Sequence, residues 1–483
     1  MSYQHEQWFH QANQLQAAGQ LAEAASLWQR LLQLAPGDWQ ARLNLANVWQ
    51  AQAQYEPALE AYLLVLQQAP QSLSAKCNLA QLLKTLGEYA VAAQLLQEVL
   101  AQDAQHIDAL SALSLVCLYL CQNDLGVDFA RQACALAPDR PALAANLGLL
   151  LTQARQYEEA ESVLSAAIAR FGDLPDLRWN RAIVRLYLGQ YEAAWPDYEA
   201  RFASVLPARH TALVRFDPLR HHGGRVLLWA EQGLGDSIMM MQLLPALQQR
   251  FALQLCIEAP ASLHALFAQL LPSAVLLQPG EQAEVDAQLP MMSVPAVLAL
   301  PRHALAGKPY LAAAADSVAS WQQKVTACAA PGRRIGLVWS SGVWSAAGAA
   351  NYNHTRKSIP AAQLAALANV PGVSWFALQP GCDSQQLPVP VIDLTPDIQS
   401  FDDTAALMAA LDGVVTVDTA AAHLAAAMGK PVWVLMRYEG APFFGQHDDM
   451  PWYRGVVVCR QQQPGEWGEA LAKCIDMIKS RPT

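Results

Sequence analysis

The chain has 483 residues, of which 53% are hydrophobic and 15% charged, and its formal net charge is −10 at neutral pH. This length exceeds what one hydrophobic core usually organises, so several domains are expected, and the composition argues against extended disorder. The acidic balance disfavours nucleic acid or an anionic membrane as a general partner, because such partners select clustered Lys and Arg.

The N-terminal residues carry no secretory signal that we can recognise, since residues 1–10 are polar and aromatic rather than basic and then apolar. The nine cysteines include no C-x-x-C pair and no zinc spacing with histidine, which favours a reducing compartment. The longest apolar run, 113–121, is too short to cross a bilayer. We therefore expect a cytoplasmic protein without a membrane span.

Residues 1–204 are predicted to form an all-α solenoid, because they repeat with a period of 34 residues. Pro36, Pro70 and Pro138 lie one and two periods apart, which is typical of the helix–turn–helix units called tetratricopeptide repeats. Small residues occupy the two helix contacts in the same register: Ala12, Ala46, Ala80, Gly148 and Ala182, then Ala24, Ala58, Ala92, Ala160 and Ala194. Five full repeats and a sixth ending near Phe202 are expected. The fourth should be the least regular, since Cys121 replaces the turn glycine and Gly126 the usual alanine.

The apolar repeat positions are explained by helix packing alone, so a binding function must come from the concave surface, where such solenoids hold extended peptides or proteins. Asparagines recur near the inward-facing positions: Asn44, Asn47, Asn78, Asn146 and Asn180. Their amides can hydrogen-bond a peptide backbone. They can equally serve packing between repeats, and the sequence leaves both interpretations open.

After residue 205, short β-rich runs alternate with alanine-rich helical stretches, which is the pattern of an α/β fold with parallel, buried strands. Strands are predicted over 225–229, 253–258, 274–277, 334–339, 373–378, 389–393, 413–417 and 432–436. The stretch 310–332 separates the first three from the rest, so two Rossmann-like lobes are expected, 205–320 and 321–483. Ligands of open parallel sheets collect at the carboxyl ends of the strands.

The first polar strand end is the segment Glu231-Gln232-Gly233-Leu234-Gly235-Asp236, which follows the strand 225–229. Glycines between a strand and a helix expose amide donors and let a ligand approach the backbone, although an ordinary strand–helix turn has the same composition. Asp236 can cap the helix or project into a cleft as a general base.

The second strand end carries Ser340 and Gly342, and Arg356 and Lys357 follow the loop 343–353. Hydroxyls beside a cation suit a phosphate or a sugar. The alternative is a mobile surface loop with solvated charges, which the alanines and asparagines of the loop favour.

The third strand end is Asp418-Thr419-Ala420-Ala421, with His423 in the helix that follows. Small residues allow a ligand to approach closely, and the open helix start attracts a diphosphate. A capping role for Asp418 or Thr419 would explain the helix start, but not the small residues and His423 together. Taken alone, His423 would more often be a core histidine with satisfied hydrogen bonds.

Together these segments resemble bacterial glycosyltransferases of the heptosyltransferase-like GT-B type that are fused to tetratricopeptide repeats, including O-GlcNAc-transferase-like and flagellin-modifying enzymes. The resemblance covers nearly the whole chain and rests on residues 188–202, 231–236, 401–405, 417–423, 451–453 and 460–461. It fails at 438–447, where similar proteins often have an aspartate with Trp-Arg-Trp and this chain has Ala441-Pro442-Phe443-Phe444.

The resemblance implies inverting transfer from a nucleotide-sugar held mainly by the C-terminal lobe to an acceptor presented from the N-terminal lobe. Asp236 matches the proposed catalytic base, and Glu231, Gln232, Gly233 and Gly235 form its loop on the acceptor side. Thr419, Ala420 and Ala421 match the phosphate-binding turn, His423 its histidine and Lys357 the cation that contacts the donor phosphate, while Asp418, Ser340 and Gly342 complete the donor set.

No D-x-D pair lies at a strand end, and GT-B enzymes can use dipoles and cations in place of a metal, so no metal or cofactor is predicted. The attached repeats favour a protein acceptor, with flagellin as one candidate for O-linked transfer. One alternative is a transferase for lipopolysaccharide or another surface glycan whose repeats recruit partner enzymes. Another is a scaffold whose transferase half is inactive. Self-association through the repeats is left open.

Overall fold

The computed structural model of the chain describes residues 3–305, 307–342, 354–381, 384–446 and 450–481. It divides into two compact units, one that ends at Ala154 and one that begins at Arg155. The described residues of the first unit form helices and no strands, whereas the second unit contains the remaining repeat helices together with two β-sheets.

The helical region confirms the predicted repeats as six helix pairs with a short helix after them, among the described residues. Their bounds are Tyr3–Ala17, Leu21–Leu34, Trp39–Ala51, Tyr55–Gln68, Leu73–Leu86, Tyr89–Gln102, Ile107–Tyr119, Asn123–Leu136, Pro141–Gln153, Tyr157–Phe171, Pro175–Tyr187, Tyr191–Tyr198 and Arg201–Ser204. One turn joins the two helices of each pair, and the pairs recur along the chain with the period seen in the sequence.

One turn position in every repeat has a left-handed backbone, at intervals of 34 residues. The residues and their φ angles are Gly19 (75°), Ala53 (57°), Gly87 (90°), Cys121 (61°), Arg155 (62°) and Gly189 (71°). A positive φ costs free energy for any residue with a side chain, so Ala53, Cys121 and Arg155 are strained where glycine would not be. The period is therefore set by backbone geometry as well as by composition.

The fourth repeat is not less regular in its helix lengths, contrary to the prediction. Its helices have 13 and 14 residues, the same as those of the second repeat. Gly126 is required there because a Cβ atom would lie 2.9 Å from the carbonyl oxygen of Ser114. The unusual glycine thus reflects a close approach of the two helices rather than a loss of the repeat.

Several of the recurring asparagines of the first unit bond from one repeat to the next. Asn78 donates from Nδ2 to Oδ1 of Asn47 at 2.7 Å, and the Tyr62 hydroxyl donates to the same oxygen at 2.7 Å. Asn146 donates to the Ser111 hydroxyl at 3.2 Å. These contacts favour the packing interpretation at these three asparagines, because their amide groups are already engaged.

The α/β region contains two parallel sheets, as predicted. The first sheet has the order β3-β2-β1-β4 and is built from β1 (Arg225–Trp229), β2 (Gln254–Glu258), β3 (Val275–Leu277) and β4 (Ala287–Pro290). The second has the order β10-β9-β8-β5-β6-β7 and is built from β5 (Arg333–Val338), β6 (Val373–Ala377), β7 (Val391–Ile392), β8 (Gly413–Val417), β9 (Val432–Met436) and β10 (Val456–Arg460). Strands β4 and β10 were not predicted; β10 has a clear apolar signal, whereas β4 is short and ends in a proline.

The helices of this region alternate with the strands and cover both sheets. Their bounds are Leu234–Met241, Leu244–Phe251, His264–Leu270, Val294–Val297, Ala315–Cys328, Phe401–Ala409, Ala420–Ala427 and Gly468–Ser480. We call Leu234–Met241 the first-lobe helix and Ala420–Ala427 the second-lobe helix, because each follows the strand end that carries candidate site residues.

The last repeat helices share a hydrophobic core with both lobes. Ala182, Leu186 and Trp195 belong to the same buried cluster as Met240 and Val414. Trp195 also donates from Nε1 to the carbonyl oxygen of Leu300 at 3.0 Å. The helices that follow the repeats end at Ser204, and those from Arg155 onward belong to the same compact unit as the two lobes.

Candidate active site

The first-lobe and second-lobe helices pack against each other at their N-terminal turns. A Cβ atom on Gly235 would lie 2.7 Å from Cδ2 of His423 and 3.4 Å from Cα of Ala420. The first distance is far too short for a carbon contact, whereas the second is an ordinary one, so a side chain at Gly235 would collide with the ring of His423. The two predicted strand ends thus meet at one place.

Asp236 fulfils the first of the two roles that the sequence left open, that of a helix cap, and its role as a general base stays a prediction. Its Oδ2 accepts a hydrogen bond from the backbone N–H of Gly233 at 3.0 Å, which caps the first-lobe helix. The side chain is half-buried. Burial and then the nearby Asp418 carboxylate raise the pKa of Asp236 to about 6, with Lys357 acting in the opposite direction. A carboxylate of the first lobe is therefore in electrostatic contact with an ion pair of the second.

That ion pair joins Lys357 Nζ to Asp418 Oδ2 at 2.7 Å. Burial alone would raise the pKa of Asp418, but the charge and hydrogen bond of Lys357 bring it below its usual value. Thr419 occupies the N-cap position of the second-lobe helix, yet its side chain makes no capping hydrogen bond. Its hydroxyl lies 3.1 Å from that of Thr416 instead. The capping explanation for Thr419 is therefore wrong, and the half-buried Ala420 and Ala421 begin a helix without a side-chain cap.

His423 is buried, with 6% of its surface exposed. Its Nδ1 lies 3.1 Å from the Tyr453 hydroxyl, and its ring packs edge-on against Phe444 and Tyr453. Burial lowers the pKa of His423 to about 4, so the imidazole is neutral at pH 7. These contacts fit the buried, hydrogen-bonded histidine that the sequence allowed; the ring also faces Gly235 of the other lobe, and a binding role for it stays a prediction.

Glu231 and Gln232 are held by the last repeat helices. The fully buried Arg201 donates to Glu231 Oε1 at 2.6 Å and to the Ser293 hydroxyl at 2.7 Å. Burial raises the pKa of Glu231 to about 7, although Arg201 opposes this shift. Gln232 Nε2 lies 2.9 Å from the hydroxyl of Tyr198. These contacts fix the loop that carries Asp236.

Ser340 belongs to a small hydroxyl cluster beside Lys357. Its Oγ lies 3.1 Å from Oγ of Ser358, and its N–H donates to Gln379 Oε1 at 3.0 Å. Gly342 is exposed and is not drawn into this cluster by any contact that the structure describes. The loop predicted to be mobile, 343–353, lies outside the described residues.

The sequence did not assign roles to several residues that complete the site. The segment 438–447, where the resemblance fails, supplies Phe444 to the ring of His423 and the buried Glu439 to an ion pair with Arg356, the neighbour of Lys357. Tyr310 and Tyr453 form a hydrogen-bonded pair beside His423. No local signal could identify these partners, because they lie tens of residues apart in the chain.

Among the described residues, no three or more His, Cys, Asp and Glu side chains form a group suited to a metal ion, and metal independence stays a prediction. No helix among them is both long and apolar enough to cross a bilayer.

Residues 380–465 match the sequence profile of glycosyltransferase family 9, described as heptosyltransferase. This segment contains the second-lobe helix, the strand end at Asp418 and Tyr453. The match makes the second lobe similar to that family, and the helical repeats followed by two parallel sheets are consistent with a tetratricopeptide solenoid joined to a glycosyltransferase domain of the GT-B type.

Among curated proteins, the chain is similar to Protein FlbA of Caulobacter vibrioides, with 26% identity over 395 residues; the match covers 73% of this chain and 63% of the relative's length. Among solved structures, it is similar to a tetratricopeptide repeat protein from Parabacteroides merdae (18% identity, 43% of this chain and 82% of that one, TM-score 0.37). A second similar structure is that of YrrB, described as a TPR protein with an unusual peptide-binding site (18% identity, 37% of this chain and 92% of that one, TM-score 0.31).

Proposed function

We propose that the chain is an inverting, metal-independent glycosyltransferase that moves a sugar from a nucleotide-sugar to a hydroxyl group of a protein. The observation that carries this proposal is the position of Asp236, which lies at a helix start of one lobe beside the Lys357–Asp418 pair of the other. A displacement at a sugar carbon requires a base for the acceptor hydroxyl and an anion-binding group for the leaving phosphate. Here the candidate base and the candidate anion-binding helix start lie on opposite sides of one contact.

The second lobe offers a site for the donor diphosphate. The second-lobe helix lacks a side-chain cap at Thr419, so its first amides can donate to phosphate oxygens. Ala420 and Ala421 leave room for this approach. Lys357 is 28% exposed in its ion pair with Asp418, and we propose that it turns to the phosphate when the donor binds.

In the proposed reaction the acceptor hydroxyl gives its proton to the carboxylate of Asp236. The hydroxyl oxygen forms a bond to the anomeric carbon as the bond from that carbon to the phosphate oxygen breaks. The nucleoside diphosphate leaves with the electron pair of that bond, and Lys357 and the helix amides stabilise its charge. Attack opposite the leaving group inverts the anomeric centre.

The acceptor is proposed to be a protein because the transferase domain is joined to repeats of a kind that commonly binds polypeptides. Flagellin is one candidate, through the family resemblance. The second candidate is transfer to a surface glycan, which the heptosyltransferase description of the matched family favours.

The central test replaces Asp236 by Asn. The amide oxygen can still accept from the Gly233 N–H, so folding should be preserved, whereas transfer should fall by about a hundred- to ten-thousand-fold. Asp403→Asn is the matched control, because Asp403 also accepts a backbone N–H, that of Gln399, at 3.0 Å on a different helix. An Asp236→Asn protein with full activity would remove Asp236 from the role of base.

The donor and acceptor are identified in two further steps. Thermal unfolding is measured with UDP, GDP, ADP and CMP, since a bound nucleotide raises the transition temperature; no shift with any of them would support an inactive scaffold. The chain is then incubated with the matching labelled donor and a cell extract. Label in protein supports the main proposal, and label in glycolipid supports the second candidate.

A further inference from the structure

Two tyrosines and one histidine form a hydrogen-bonded network that connects the second lobe to the first. Tyr310 Oη lies 2.7 Å from the carbonyl oxygen of Ile238 in the first-lobe helix. Tyr310 and Tyr453 bring their hydroxyl oxygens to 3.4 Å, and Tyr453 Oη lies 3.1 Å from Nδ1 of His423. All three side chains are buried or half-buried.

The backbone carbonyl at one end of this network determines the direction of every hydrogen bond in it. A carbonyl oxygen only accepts, so the single proton of Tyr310 is directed to Ile238. Tyr310 must then accept from Tyr453, and Tyr453, whose proton is used in turn, must accept from His423. Nδ1 of His423 therefore carries a hydrogen.

The second ring nitrogen is consequently a hydrogen-bond acceptor. Burial keeps the pKa of His423 near 4, so the ring is neutral and Nε2 has a free lone pair. Nε2 lies on the side of Gly235, 3.3 Å from where a Cβ atom of that residue would be. The acceptor nitrogen thus faces the loop that carries Asp236.

We propose that Tyr310 and Tyr453 are positioning residues that hold His423 in its Nδ1–H tautomer, so that Nε2 accepts a hydrogen bond from a substrate hydroxyl beside Asp236. This role rests on the proposed transferase function. It differs from packing because it predicts that Tyr310, which acts on His423 only through Tyr453, decides which imidazole nitrogen is protonated.

The test is nitrogen NMR of the full chain with ¹⁵N-labelled histidine, where His423→Gln identifies the His423 signals by their absence. In the unaltered chain Nδ1 should be protonated and Nε2 unprotonated. Tyr310→Phe frees the Tyr453 proton to donate to Nδ1, so the tautomer should change to Nε2–H. Tyr62→Phe, which removes a buried hydroxyl of the first unit, should leave the His423 signals unchanged.

Kinetics distinguish this proposal from the proposed function. Tyr310→Phe and Tyr453→Phe should each lower kcat about tenfold with little change in the KM of the donor. An Nε2–H tautomer in the unaltered chain, an unchanged tautomer in Tyr310→Phe, or unchanged kcat in both variants overturns the positioning role. If the protein shows the expected tautomers but transfers no sugar, the proposed transferase function is contradicted. The directions of the hydrogen bonds from His423 through Tyr453 to Tyr310 would still stand.

Discussion

Substitution of Gly235 by alanine should force the two lobes apart at the candidate site. The new methyl carbon would lie 2.7 Å from Cδ2 of His423 and 3.4 Å from Cα of Ala420, whereas carbon atoms in contact prefer about 3.5–4.0 Å. The histidine or the whole second-lobe helix must therefore move by roughly 1 Å. His423 cannot easily turn away, because its Nδ1 is tied to Tyr453.

Two opposing effects set the magnitude of this change. Overpacking of a tight contact costs about 1–3 kcal/mol, while alanine in place of glycine favours a helix by up to about 1 kcal/mol. The clash should dominate, since the obstructing atoms belong to a buried ring that is tied to Tyr453 by its Nδ1. At about 2–4 °C per kcal/mol, the thermal transition should fall by several degrees, and transfer activity should fall with it.

Gly468→Ala provides the matched control. Gly468 begins the helix Gly468–Ser480, and a Cβ atom there would meet nothing within 4 Å, so only the helix preference remains. Differential scanning fluorimetry and initial transfer rates are measured on both variants. If Gly235→Ala is as stable and as active as Gly468→Ala, the close contact between the two helix starts does not exist in solution.

Three further predictions address charge, burial and strain. Because burial raises the pKa of Asp236 to about 6, kcat/KM should fall about tenfold for each pH unit below 6; a flat pH–rate profile down to pH 5 would argue against an ionised Asp236. Removing the fully buried guanidinium in Arg201→Ala leaves Glu231 without its ion-pair partner and should destabilise the second unit by about 3–5 kcal/mol, seen by denaturant unfolding; a change below 1 kcal/mol would contradict the burial of that pair. Ala53→Gly relieves the left-handed strain at φ 57° and, after the entropy cost of glycine, should stabilise the first unit by roughly 0.5–1 kcal/mol, with a loss of stability as the refuting outcome.

The predictions from sequence succeeded where the signal is local or periodic. The 34-residue register located the six helix pairs, and alternating apolar runs located the parallel strands of both lobes. Placing Asp236 and Thr419 at the carboxyl ends of strands also followed from the sequence, because a buried strand, small residues and a helix start are contiguous there. The capping role offered for Thr419 failed, since a side-chain oxygen at an N-cap can find another partner.

Contacts between groups that are far apart in the chain could not be predicted from the sequence. The repeat register, the two-lobed α/β order and the polar residues at each strand end were predictable, since these depend on neighbours within a few residues. The pairings of Lys357 with Asp418, Arg201 with Glu231 and His423 with Tyr453 join separate elements. Such pairs are selected by the packing of whole helices and sheets, where burial and the need to satisfy each polar group act over the full chain.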